Sequence, residues 1–167
     1  MTSSPSAVPA LMTAAVGSET LSLRRAIKAD LPLILQLLAD DQLGSTRERA
    51  DDPGPYELAF DAIDSDPAHL LVVGELGGDV VATFQLSFIP GLSRKGSWRA
   101  QIEGVRVAKK LRGQGTGALM MQWAIKHARE SGCSIVQLTT DKSRPPAHRF
   151  YERLGFVSSH EGMKLTL

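Results

Sequence analysis

Gly113, Gly115 and Gly117 fall within the run Arg112-Gly113-Gln114-Gly115-Thr116-Gly117, directly before the longest helical pattern in the chain. Glycines let a backbone turn sharply and bring its amides close to a ligand. The start of a helix adds unpaired N–H groups and a partial positive charge. Together these suit a phosphate or pyrophosphate, and Arg112 can add a charge-assisted bond. At this point three readings stay open. The run can be a tight connection without a ligand, a dinucleotide fingerprint, or a loop for another pyrophosphate-bearing ligand. Gly113, Gly115 and Ala118 fit G-x-G-x-x-[GA], and Asp141 stands near the end of the next strand pattern, where a ribose-binding acid belongs. Against the dinucleotide reading, only residues 142–167 remain after Asp141, too few for the rest of a doubly wound domain. A Walker A loop is excluded, because no Gly-Lys-Ser/Thr follows at the required spacing.

The elements around the loop narrow the choice. The chain has 167 residues, 43% hydrophobic and 22% charged, which fits one domain with a packed core. Met1 to Thr20, rich in Ser, Ala and Pro, reads as a disordered tail. Residues 21–167 read as one domain. Leu21 and Leu23 alternate with polar neighbours as a short strand. Asp30 is placed as an N-cap, with Pro32 in the first turn, and Gly44 as the close of that helix. Residues 45–55 read as loop and Tyr56–Asp64 as a second helix. Leu70–Leu76, Gly77-Gly78 and Val80–Phe88 form a hairpin. On its second strand Val80, Ala82, Phe84, Leu86 and Phe88 share one face, and Thr83, Gln85 and Ser87 the other. Ala100–Val107 is a strand. Leu119, Met120, Trp123, Ala124 and His127 mark one buried helical stripe. Ser134–Thr140 is a strand, and Ala147, Phe150, Tyr151 and Leu154 make a short amphipathic helix. Phe156 onward is expected to return as two strands with a turn near Glu161-Gly162. The order β-α-α-β-β-β-α-β-α-β-β describes an α/β (α+β) sandwich: a mixed, mostly antiparallel sheet with one parallel pair across residues 100–140.

With these elements in place, Arg112–Gly117 matches [QR]-x-x-G-x-[GA], the acetyl-CoA loop of the GNAT superfamily of N-acetyltransferases. Val105-Arg106-Val107 precedes it at the spacing typical of that superfamily. About thirty residues later, Ala147-His148-Arg149-Phe150-Tyr151-Glu152-Arg153-Leu154-Gly155-Phe156 resembles the A-x-x-F-Y-x-x-x-G-F segment of the same proteins. The resemblance covers Leu21 to Leu167 and implies the GNAT fold, with helices on both faces of the sheet. It implies acetyl-CoA as cosubstrate, held through the backbone of Arg112, Gly113, Gln114, Gly115, Thr116 and Gly117 at its pyrophosphate. It assigns the backbone of Val105 and Val107 to the pantetheine and acetyl end. It implies direct acetyl transfer to a primary amine of an unidentified acceptor, a small molecule or a peptide. The alternative is a CoA-binding sensor or interaction module that keeps the fold without turnover.

Acyl transfer to an amine needs a base, because a lysine-like amine, with a pKa of about 10, is protonated at neutral pH. Glu103 is the candidate, two and four residues before Val105 and Val107, and expected on their face of the strand. Tyr151 resembles the general acid of the superfamily, which protonates the departing thiolate. Many members carry Asn seven residues before this Tyr, where Arg144 stands here. Trp98, with Arg94, Lys95 and Arg99, reads as a solvated basic turn, the other reading being a lid over the acceptor. Asp40, Asp41, Asp51 and Asp52 read as solvated, the other reading being a wall for a cationic amine.

Nineteen Lys+Arg against eighteen Asp+Glu give a net charge of +1, which argues against nucleic-acid binding through bulk charge. Cys133, the single cysteine, is read as a buried structural thiol; a cytoplasmic location fits it. His69, His127, His148 and His160 show no metal-ligand spacing, so no metal is expected. No apolar run is long enough for a membrane span. The resemblance leaves room for a homodimer.

Overall fold

A computed structural model describes residues 8–40, 44–49 and 51–167. Six strands form one sheet in the order β1-β2-β3-β4-β5-β6. They are β1 (Ala10–Val16), β2 (Glu19–Arg25), β3 (His69–Leu76), β4 (Asp79–Pro90), β5 (Trp98–Val107) and β6 (Cys133–Leu138). Neighbours β1 to β5 are antiparallel; β5 and β6 are parallel. The parallel pair is joined through helix α5 (Thr116–Glu130), as a parallel crossover requires. Before β3 come α1 (Leu31–Ala39), the short α2 (Gly44–Arg47) and α3 (Gly54–Ser65). Between β4 and β5 lies α4 (Ser93–Gly96), a single turn wound left-handed at Arg94 and Lys95. The last helix is α6 (Pro145–Arg153). This is the mixed, mostly antiparallel sheet with helices on both faces that the sequence led us to expect.

Each face has its own core. On one side Leu21, Leu23, Val72, Val81, Ala82, Phe84, Leu86, Ala100 and Ile102 meet Met120, Met121, Ala124 and Ala128 of α5. A fully buried side chain such as Phe84 contributes about 1.5–3 kcal/mol relative to exposure. Trp123 stacks on His127 at 4.8 Å and stands 6.1 Å from Phe84, which fixes α5 against the sheet. On the other side Ala26, Leu31, Ile34, Phe60 and Val73 form a smaller core that seats α1 and α3.

Four expectations need correction. Ala10–Val16 is not a tail: it pairs antiparallel with β2, which begins at Glu19. Asp30 does not cap α1 with its side chain. Its carboxylate instead accepts two hydrogen bonds from Arg24, at 2.7 and 2.9 Å, and one from the Ile27 amide at 2.8 Å. Gly44 does not close α1, which ends at Ala39; it starts α2, which runs into the stretch 45–55 read as loop. Phe156–Leu167 contains no strand, and Val157, Met163, Leu165 and Leu167 are exposed.

Two bulges reset the facing of side chains. In β4, Ala82 pairs with Gly74 and Val80 with Glu75, so Val81 is an extra residue. Val81 and Ala82 both join the larger core, and Val80 packs on the smaller one, away from Phe84. In β5, Thr83 pairs with Arg106 and Gln85 with Glu103, so Gly104 and Val105 together face Phe84. Gly104 has φ +61°, a left-handed value that suits glycine.

Candidate active site

The β5 bulge decides where Glu103 points. Ala100 and Ile102 are in the larger core, and Val105 and Val107 pack against it. Without the extra residue, Glu103 would share the face of Val105 and Val107. With it, Glu103 lies on the opposite face, beside Gln85 of β4. That corrects the expected facing. The Glu103 side chain is exposed, and no described residue hydrogen-bonds or ion-pairs with it.

Beyond Glu103 the sheet splits. The last parallel pair is Ile102 with Leu138, yet β5 continues to Val107. From Glu103 to Val107, β5 pairs only on its β4 side, ending at Val107 opposite Ala82. The other backbone edge lines a fork between β5 and the turn that leads into α6. An extended ligand entering this fork meets an open sheet edge, on which the Val105 and Val107 carbonyls already accept from Arg106 Nη1 and Arg112 Nε, both at 2.9 Å.

Past Val107 comes the glycine loop. Gly113 and Gly115 have φ +80° and +88°, so both need glycine. Gly115 is the N-cap of α5, and the first helical bond runs from the Leu119 amide to the Gly115 carbonyl at 3.0 Å. Among the described residues, the amides of Gly113, Gly115, Thr116, Gly117 and Ala118 donate to no protein acceptor. The Arg112 and Gln114 amides are engaged, with Lys109 and Leu111 carbonyls. A cluster of free amides at a helix start, with no side chain in the way, fits a pyrophosphate. The Arg112 guanidinium is engaged elsewhere than expected. Its Nε donates to the Val107 carbonyl at 2.9 Å and its Nη2 to Asp40 Oδ2 at 3.0 Å. It ties the loop to β5 and to the end of α1.

Tyr151 approaches from the core side. It packs on the larger core, with ring centroids 5.1 Å from Phe150 and 5.8 Å from Phe156. Burial pushes its phenol above the usual tyrosine range, while the charges of Arg144 and Arg106 pull partly back. A phenol so placed stays protonated at neutral pH and can donate. Phe150 also locks α6 to the loop: a Cβ built on Gly117 would stand 3.4 Å from Phe150 Cζ and 3.7 Å from Val107 Cγ2. The structure therefore gathers β5, the glycine loop and α6 around one fork, with Glu103 and Tyr151 on opposite faces of the sheet. Arg144, the departure from the usual Asn, is close enough to act on Tyr151 electrostatically, which nothing in the spacing disclosed.

Other residues fall outside this gathering. Trp98 begins β5, five residues before Glu103, roughly 16 Å along the strand, and is exposed. That separation does not suit a lid over Glu103. Asp40 is committed to Arg112, Asp51 and Asp52 are exposed, and Asp41 lies outside the described residues. A cavity of about 310 Å³ lined by Leu33, Gln36, Leu37, Asp40, Val80 and Ala108 sits against α1 and contains neither Glu103 nor Tyr151. Cys133 is half-buried beside the larger core, and burial raises its thiol. Among the described residues no cluster of His, Cys, Asp and Glu could hold a metal, and no helix is long and apolar enough to cross a membrane.

The acetyltransferase (GNAT) family model matches residues 33–156, most of the chain. The chain belongs to the GNAT family. A solved structure from Bacillus halodurans C-125, described as a transcriptional regulator, is 47% identical. It has a TM-score of 0.85, and the match covers 88% of this chain and 99% of that one. A streptothricin acetyltransferase of Streptomyces lavendulae is 28% identical over 135 residues, 80% of this chain. An aminoalkylphosphonate N-acetyltransferase of Salmonella typhimurium is 38% identical over 64 residues, 38% of this chain. The matches span only 61% and 42% of those two relatives. GNAT membership accounts for the glycine loop and implies acetyl-CoA binding and acetyl transfer in general terms.

Proposed function

We propose that this chain transfers the acetyl group of acetyl-CoA directly to a primary amine, with Glu103 as base and Tyr151 as acid. The fork that opens after Ile102 and Leu138 carries this reading. It has a free carboxylate at its mouth, a half-buried phenol on its core side and free amides at its far end. The amides of Gly113, Gly115, Thr116 and Gly117 hold the pyrophosphate, and the β5 edge at Val105 and Val107 holds the pantetheine arm and polarises the thioester carbonyl. Glu103 takes a proton from the ammonium form of the acceptor, directly or through water. The freed amine then attacks the carbonyl, a C–N bond forms and the C–S bond breaks. Tyr151 gives its proton to the departing sulfur; Glu103 passes its first proton to water before taking the amine's second, and one of these two protons returns through water to Tyr151 while the other leaves to solvent. The acceptor is a small molecule or a peptide end; two of the relatives named above are described as acetyltransferases of small molecules.

A second reading is a CoA-binding sensor, favoured by the description of the Bacillus halodurans relative as a transcriptional regulator. A thiol-release assay with acetyl-CoA and a panel of amines at several pH values separates the two. Release that depends on the amine supports transfer. Acetyl-CoA binding with no release for any amine would support the sensor.

A further inference from the structure

The face that carries Glu103 has an unusual composition. One residue level back from Glu103, the strand registers align four polar side chains in a single row across four strands. His69 of β3 pairs with Ser87 of β4, Ser87 with Gln101 of β5, and Gln101 with Gln137 of β6. Gln85 stands beside Glu103 on the next level. Among the described residues, the apolar core on this face reaches Val73, Leu71 and Val80 and does not include the row. A face turned only to water would be expected to carry Lys, Arg or Glu. Here the row has no carboxylate, Lys or Arg, and Ser87 is 5% exposed.

The hydrogen bonds within the row leave a mixed surplus. His69 Nδ1 and Ser87 Oγ share a bond of 2.8 Å, and Gln137 Nε2 donates to Gln101 Oε1 at 2.7 Å. Gln85 Nε2 reaches Ser87 Oγ at 3.4 Å. The Gln101 amide nitrogen keeps its donors, while the Gln137 and Gln85 amide oxygens keep their acceptors. Ammonium groups only donate, phosphate and carboxylate groups only accept, and alkyl groups do neither. Hydroxyl and amide groups do both, so they match this surface.

We infer that the row His69–Ser87–Gln101–Gln137 is the floor on which the acceptor's body lies, and that the acceptor is a hydroxyl- or amide-bearing amine. This deepens the transfer reading and rests on it for the position of the amine at Glu103. Gln101 precedes Glu103 by two residues, about 7 Å along the strand, and adjacent strands are about 4.8 Å apart. An amine placed at Glu103 therefore puts groups one sugar ring or short polyol chain away onto the row. Polyamines and aliphatic or aromatic amines leave its amides unpaired, which costs affinity.

The test uses the full chain with two matched pairs, glucosamine against cyclohexylamine and serinol against isopropylamine. Transfer is followed by thiol release, and binding to the CoA-loaded protein by calorimetry. The hydroxylated member of each pair is expected to win in kcat/KM and in binding by about tenfold or more. Gln101→Leu and Gln137→Leu are expected to erase that preference through KM while leaving acetyl-CoA affinity unchanged. Gln137 is exposed, so its variant keeps the test valid if Gln101→Leu folds poorly. Equal treatment of both members by the unmodified protein would overturn the inference, even with transfer intact. Preferential binding without any transfer would support the floor and contradict the transferase reading instead.

Discussion

Ile102 pairs with Leu138, and the two strands part at the next residue, Glu103. The Glu103 carboxylate is thus placed by topology: it stands where a parallel ladder ends, beside an open backbone edge. The bulge at Gly104 turns that carboxylate to the open face and returns Val105 to the core face.

Glu103→Gln keeps the shape and removes the base. Transfer is expected to fall by about 10²–10⁴-fold in kcat. The side chain is exposed and unpaired, so stability should change by no more than about 0.5 kcal/mol. Steady-state kinetics and thermal unfolding of the same preparation check both parts. A loss of stability in step with activity would mean that Glu103 is structural.

Gly104→Ala tests the bulge. A Cβ there would meet only Leu38 Cδ2, at an ordinary 3.8 Å, so the cost comes from φ rather than crowding. About 1–2 kcal/mol of stability should be lost in denaturant unfolding. Transfer should fall further than Gly78→Ala causes in the remote β3–β4 turn, where φ is also positive. Equal effects would detach the bulge from catalysis.

Tyr151 should ionise above the ordinary tyrosine value of about 10, because burial raises it more than Arg144 and Arg106 lower it. The sign follows for stability: the folded state holds this proton more tightly, so stability falls once pH exceeds the unfolded value. Tyr151→Phe should lose that alkaline dependence. Arg144→Asn, which restores the usual residue of the family, removes a charge that favours the phenolate. Ultraviolet difference titration should show Tyr151 moving further upward in that variant; a downward move would contradict the assignment.

How much of this was legible in the sequence differs by residue. Arg112–Gly117 and Phe150-Tyr151 could be read because their information is local: glycine spacing and a helical stripe. Ala10–Val16 could not. Its Ala, Met and Thr look like tail composition, and what holds it is backbone pairing with β2. Met163, Leu165 and Leu167 show the opposite case: they alternate like a strand yet pair with nothing described. Glu103 was singled out as a candidate base, and its facing was misjudged. The signal was Gly104, an isolated glycine within a strand pattern, which marks a bulge. Asp30 was read locally as a cap, whereas Arg24, six residues earlier, claims its carboxylate.

That Arg24–Asp30 contact, extended to Glu75 at 2.7 Å, is a nearly buried network. Burial pushes the Asp30 carboxyl up, but the Arg24 hydrogen bonds, the Ile27 amide and the Arg24 charge outweigh it, leaving it below the usual value. Its contribution is therefore present above about pH 4 and lost as pH falls through the lower folded value. Asp30→Ala leaves Arg24 with Glu75 as its remaining carboxylate partner and should cost about 1.5–3 kcal/mol. It should also flatten the acid limb of a stability-against-pH curve. An unchanged limb would show that other carboxylates govern acid unfolding.

The central claim is that Glu103 and Tyr151 act across the fork on acetyl-CoA held by the loop. The most direct measurement is acetyl transfer by Glu103→Gln and Tyr151→Phe, with acetyl-CoA affinity determined in parallel by calorimetry. The account predicts affinity within about twofold of the unmodified protein and transfer reduced by at least about a hundredfold in each variant. Transfer at the unmodified rate in both variants would contradict it.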